Sequence, residues 1–283
     1  MFLKERIIVT LYESMKWTNL QLIKGRVFTQ EEKQKITKHF LDGVSDEKTV
    51  LRFHKGVNAP RDETGDSRQM YPLFFIPPYR NEADGTKGEK YKTITCVTPK
   101  THILSANAYE LEIIRILALL SPNNEKVEKI VNRTLERLKT SCFANECYMG
   151  ECFETSLISL RFICTACPEN VQWLKNLVNK ISKHIDDKKR HSGILFYYWL
   201  CFSEMPIELA ESKIIRYKDE LLKHINRSFV MNSEQNKNMS YLCKYIVRNC
   251  LSKLDDYAFL QNRDPYINEK DGRLYFPVEK QKT

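Results

Sequence analysis

Apolar positions near the start of the chain recur at helical spacing. Ile7, Ile8, Leu11, Tyr12, Met15 and Leu22 fall near one face, and Thr29 followed by Glu32 forms a capping box that opens a second helix to about Leu41, ended by Asp42-Gly43. The pattern then changes: residues 56 to 100 hold five of the ten prolines and four of the nine glycines, so this stretch cannot be mostly helix. Within it, residues 73–76 and the Thr/Ile/Val-rich residues 91–97 predict a two-stranded element. From Asn107 the helical pattern returns. Asn107 with Glu110 reads as an N-cap of a helix running to Leu120, and Ser121-Pro122 stops it. Val127, Ile130, Val131, Thr134, Leu135 and Leu138 then line one face of the next helix. An almost wholly apolar helix over 152–166 ends at Cys167-Pro168, and an amphipathic one follows with Val171, Leu174, Leu177, Val178, Ile181 and Ile185. Residues 193–203 are again apolar all round and end at Met205-Pro206, after which 207–225 repeats the amphipathic type and 239–260 predicts a further helix. Asp271-Gly272 is a turn between aromatic-bearing segments of a tail that packs as an extended cap.

A very apolar helix, a proline-marked break and an amphipathic helix therefore occur three times, with the breaks at 122, 168 and 206 spaced by 46 and 38 residues. This order and period resemble the two-helix solenoid repeats of the HEAT or armadillo kind, whose period is about 40 to 47 residues. The resemblance spans about Asn107 to Asn226, is architectural and implies a groove that recognises a partner. An irregular helical bundle is the alternative. The expected fold class is mainly α, a helical repeat or irregular helical bundle with a small hairpin and a loop-rich insertion. The expected division is 1–100, N-terminal helices plus the Gly/Pro-rich loop, and 101–283, the helical-repeat domain with its tail.

Composition narrows the class. With 283 residues, 42% apolar and rich in Tyr and Phe, the chain is neither disordered nor fibrous. The longest unbroken apolar run, Ile194 to Phe202, is nine residues where a membrane span needs about 20. Lys4, Glu5 and Arg6 stand before only a brief apolar run, so no secretory leader is expected. An odd nine cysteines in apolar surroundings are read as mostly reduced, and the location as cytoplasmic.

A net charge of +9 favours anionic partners only where cations cluster. Lys126, Lys129, Arg133 and Arg137 lie within about 80° of one another on a helix; Lys213, Arg216, Lys223 and Arg227 form a similar row. Lys175, Lys180 and Lys183 project opposite the apolar stripe between them, with Lys188 to Arg190 extending its end. If the helices were parallel neighbours the rows would merge; the alternative is a solvated face diluted by Glu125, Glu128, Glu136, Asp219 and Glu220. Arg61, Arg68, Tyr79 and Arg80 are contact candidates in the Gly/Pro-rich loop.

Two chemical alternatives compete with binding. Cys152 at a helix start, with His191 or His184 as base, is the pattern of a cysteine-dependent hydrolase or transferase. Against it, such enzymes carry the histidine on strands, and the following segments read as helical. Cys142, Cys147 and Cys152 with the close Cys164/Cys167 pair could in principle supply thiolates to zinc, but structural zinc sites use two tight pairs on turns, whereas Cys142 and Cys147 are loosely spaced and Cys164 and Cys167 end an apolar helix. No phosphate loop, serine elbow or paired-histidine motif is present, and no cofactor or metal is expected. The aromatic run 196–199 reads as core. The leading expectation is a non-enzymatic scaffold for a protein partner, with binding residues Lys129, Arg133, Arg137, Lys183 and Arg216. Nucleic acid is the alternative partner.

Overall fold

The computed structural model of the chain describes residues 10–57, 70–78, 90–145, 150–186, 192–231 and 233–278. These are mainly helical, with one small antiparallel sheet. The chain divides into two compact units, Met1–Ile94 with Pro99–Cys142, and Thr95–Thr98 with Phe143–Thr283.

In the first unit, α1 (Leu11–Lys24) starts in a capping box made by Thr10 and Glu13 and ends at Gly25, whose φ of +88° is the left-handed conformation that glycine adopts without a Cβ penalty. The Thr29–Glu32 capping box opens α2 (Gln30–Asp42) as the sequence predicts, and Asp46 caps α3 (Glu47–Gly56). The next helix, α4 (His102–Leu120), begins one and a half turns earlier than expected: Thr101 is its N-cap, and Asn107 and Glu110 lie in its interior. Residues 104–117 of α4 are buried without interruption, because α1, α2 and α5 (Glu125–Thr140) all pack against it. The boundary expected at residue 100 thus falls inside this unit, since α4 packs on the helices that precede it.

The hairpin expected in the loop-rich region is not formed: 73–76 and 91–97 carry no strand. The backbone of 73–76 is satisfied elsewhere. The N–H groups of Leu73, Phe74 and Phe75 donate to Glu110 Oε2 at 2.8, 2.6 and 3.1 Å, Ile76 N–H donates to Ser45 Oγ, and Ser45 N–H donates to the Phe74 carbonyl. Phe53 of α3, Tyr71 and Ala106 form a buried cluster beside this segment.

The second unit has two layers. Helices α6 (Glu151–Ala166), α8 (Ser192–Glu204) and α11 (Glu234–Leu251) form one layer with α8 in the middle. Over it, α7 (Val171–Asp186) packs on α6, α9 (Ile207–Arg216) on α8 and α10 (Lys218–Asn226) on α11. For α6 and α8 the alternation of apolar and amphipathic helices accounts for this, because a helix apolar all round needs cover on both sides and an amphipathic one supplies it with its buried stripe; α11 joins them through its own apolar stripe. The arrangement is compatible with an α-helical repeat. Two polar ties fix it. Arg161 of α6, 1% exposed, makes a bidentate pair with Glu204 of α8, both bonds 2.7 Å, and Tyr198 OH of α8 donates to Ser182 Oγ of α7.

The amphipathic stretch 207–225 is two helices and not one. Tyr217 leaves helical geometry between α9 and α10 (φ −97°, ψ 8°) and sets its ring edge-on to Tyr198 and Trp199 of α8. The sheet lies C-terminal: β1 (Phe229–Val230), β2 (Tyr266–Asn268) and β3 (Arg273–Tyr275) pair antiparallel in the order β1-β3-β2. The predicted Asp271-Gly272 turn joins β2 to β3 with Gly272 at φ +65°. Leu274 is fully buried and Phe276 nearly so, which anchors the tail.

Candidate anion-binding surface

The cationic candidates separate by burial. On α5, Lys126, Lys129 and Arg133 are exposed, the Arg133 guanidinium lying 5.8 Å from the Phe74 ring centre. Arg137 is not on that surface. It is 5% exposed, donating from Nη1 to Asn107 Oδ1 at 2.8 Å and pairing through Nη2 with Glu110 Oε1 at 3.1 Å. At about 100° per residue Arg137 sits only about 20° from Ile130, on the border of the apolar stripe; Glu110 and Asn107 of α4 draw it inward. Asn107 Nδ2 in turn donates to the Met70 and Ile103 carbonyls. Burial lowers the Arg137 pKa while Glu110 opposes that shift. This network fastens 70–75 to α4 and α5, so Arg137 is structural and leaves the binding set.

Lys129 and Arg133 belong to the first unit, Lys183 and Arg216 to the second. On α7, Leu174, Leu177, Val178, Ile181 and Ile185 are buried, while Gln172, Lys175, Asn176, Asn179, Lys180 and Lys183 are exposed. No Asp or Glu occurs from Val171 to Ile185. Lys180 Nζ donates to the Asn145 carbonyl at 2.9 Å, and Lys175 and Lys183 make no ion pair among the described residues. Arg216 is exposed at the end of α9. Because Tyr217 breaks the helix, Lys213 and Arg216 do not continue into Lys223 and Arg227 as one straight row.

Around the C-terminal end of α10 the geometry is more closely built. Asp219, Leu222, Lys223 and Asn226 of one α10 stripe, with the C-cap residue Arg227, line a shallow cavity that is wide open to solvent. The last carbonyls of α10 are capped from α11: the buried Lys244 ammonium donates to the carbonyls of His224, Ile225 and Arg227 and lies 5.2 Å from the Phe229 ring centre. Burial pushes the Lys244 pKa down to about 8. His224, half-buried on the same helix, stands edge-on to Phe196 at 5.2 Å and to Trp199 at 5.3 Å. Its pKa is lowered by burial first and then by the Arg227 and Lys244 charges, which records a positive local potential. Neither His224 Nδ1 nor Trp199 Nε1 has a hydrogen-bond partner among the described residues.

The remaining candidates fall as follows. Cys152 is half-buried in the first turn of α6. His191, its expected base, lies outside the described residues, and the His184 ring packs 4.6 Å from Phe153. Arg61, Arg68, Tyr79, Arg80, Lys188 to Arg190 and Cys147 also lie outside the described residues. No group of three or more His, Cys, Asp or Glu side chains that could hold a metal occurs among the described residues, nor is any described helix long and apolar enough to cross a membrane. Cys201 and Cys250 donate to the Leu157 and Trp199 carbonyls, and burial raises the Cys250 and Cys243 thiol pKa values. The aromatic run 196–199 is core.

Sequence reasoning missed Arg161 and Lys244 and gave Glu110 only a capping role. Each is a charge within an otherwise apolar stretch, and that is the signal which marks a side chain requiring a buried partner. Comparison of the chain with known protein families, curated proteins and solved structures finds no match.

Proposed function

We propose that the chain is a cytoplasmic binding protein of the helical-repeat type, HEAT-like in its alternation of apolar and amphipathic helices, which recognises an acidic protein partner through cationic outer faces in its second unit. The observation that carries this reading is α7: its solvent face presents three lysines among amides and, up to Ile185, no acid to neutralise them. Neighbouring amphipathic helices of such a layer serve recognition, because each spends its apolar stripe on the layer beneath and leaves its polar face outward. Several buried charges are occupied structurally, among them Glu110 with Arg137, Arg161 with Glu204, and Lys244 with the α10 carbonyls.

The test is capture of partners from lysate by the full chain and by the double variant Lys175→Glu/Lys183→Glu. Both side chains are exposed, so stability should change by no more than about 0.5 kcal/mol, while retention of the bound protein should fall at least about tenfold. Retention equal to wild type removes α7 from the interface. Bound nucleic acid that elutes steeply with salt would replace the protein partner with a phosphate backbone.

A further inference from the structure

The α10 cavity carries features that the α7 face lacks. Lys223 and Arg227 stand one turn apart on the same stripe, both exposed and neither ion-paired among the described residues. A helix C-terminus ordinarily repels anions, because its unpaired carbonyls carry partial negative charge. Here that effect is cancelled, since the Lys244 ammonium occupies the carbonyls of His224, Ile225 and Arg227 from inside the fold. The cavity therefore opens on two exposed cations, Arg227 with its guanidinium 5.9 Å from the Phe229 ring centre, and a third, buried cation lies behind them. Its one acidic lining residue is Asp219, two turns from Arg227, and Glu220 lies off the stripe.

The lining also discriminates between anions. No aromatic side chain is in its lining: Phe196 and Trp199 behind α10 are buried, and the half-buried Phe229 ring beside it already carries the Arg227 and Lys244 cations, so it offers unpaired bases little on which to stack. It offers instead an apolar wall in Leu222, an amide in Asn226 and a carboxylate in Asp219, groups that suit a peptide's side chains, carbonyls and N–H groups. Side chains four apart on a helix are about 5–6 Å apart at Cβ, close to the roughly 6.7 Å between alternate residues of an extended strand.

We propose that the α10 cavity docks an extended acidic segment of a partner protein, with carboxylates at alternate positions on Lys223 and Arg227 and an apolar side chain against Leu222. This rests on the reading of the chain as a binder of acidic partners and adds the place and form of the contact.

The test uses the full chain and a fluorescein-labelled peptide of about ten residues in which glutamates alternate with serines around one leucine, followed by fluorescence anisotropy at low salt. Lys223→Glu/Arg227→Glu should weaken binding at least about tenfold, and Leu222→Ala about threefold. The equally spaced exposed pair on α3, Lys48→Glu/Arg52→Glu, should leave it within about twofold. Unchanged thermal melting of each variant shows that the fold persists. The proposal is overturned if the α10 pair leaves binding unchanged, if the wild type does not bind, or if an oligonucleotide of equal charge binds as tightly. Loss on Lys175→Glu/Lys183→Glu with none on the α10 pair would overturn docking at α10 and leave the α7 interface standing. Failure of lysate capture to depend on α7, with peptide binding still dependent on α10, would do the reverse.

Discussion

Glu110 ties three parts of the first unit together: α4, α5 and the segment 73–75. One of its oxygens takes three consecutive amides, and the other faces Arg137 in a site from which water is excluded. Removing one partner of a buried pair leaves the other charged and unsolvated, so Glu110→Gln should cost about 3–5 kcal/mol in urea unfolding. Adding Arg137→Met to that variant should recover part of the loss, because no lone charge then remains buried; a cost below about 1 kcal/mol for the single change would contradict this role. A second prediction concerns acid. Burial depresses the His224 and His39 pKa values below 6.5 in the folded chain. The unfolded chain therefore takes up protons first as pH falls through 6.5, and the native state loses stability in that window. His224→Gln should narrow the gap between urea midpoints at pH 7 and 5.5, and an unchanged gap would show that His224 protonates equally in both states. Neither effect was legible from composition. Arg137 sits on a helical border where spacing alone favours neither side, and only the packing of α4 decides it.

At the scale of elements, the sequence was readable wherever one local rule acted alone. The Thr29–Glu32 box, the breaks at Pro122, Pro168 and Pro206 and the turn at Asp271-Gly272 all stand where short-range chemistry puts them. Reading failed where a distant group overrode the local signal. Asn107 and Glu110 have the chemistry of a cap but serve the loop at 70–75 instead, and that service removes the backbone donors a hairpin at 73–76 would need. Tyr217 breaks a continuous amphipathic pattern because its ring packs on α8. Gly25 offers a clean test of a local rule: a Cβ there would meet nothing within 4 Å, so Gly25→Ala carries only the backbone cost of φ +88°. That should destabilise by about 1 kcal/mol in thermal or urea unfolding. A neutral substitution would mean that the α1 terminus relaxes out of the left-handed conformation.

At the scale of the whole molecule, alternation between apolar and amphipathic helices foretold that α4, α6 and α8 are enclosed and that amphipathic helices cover them, whereas α11, outside that alternation, packs beside α8 through long-range contacts. It did not foretell that the chain divides after Cys142, because the affinity of α4 for α1 and α2 arises from contacts distant in sequence. The proposed function lives on what the layers leave outside, above all the acid-free face of α7. The most direct measurement places a photo-crosslinking residue at Asn179, between Lys175 and Lys183 on that face, and another at Gln34 on the exposed side of α2, in the full chain within cells. Asn179 should yield a discrete adduct with an acidic protein, lost in Lys175→Glu/Lys183→Glu, and Gln34 should not. Identical adducts at both positions, or an adduct at Asn179 that nuclease removes, would contradict recognition of an acidic protein by α7.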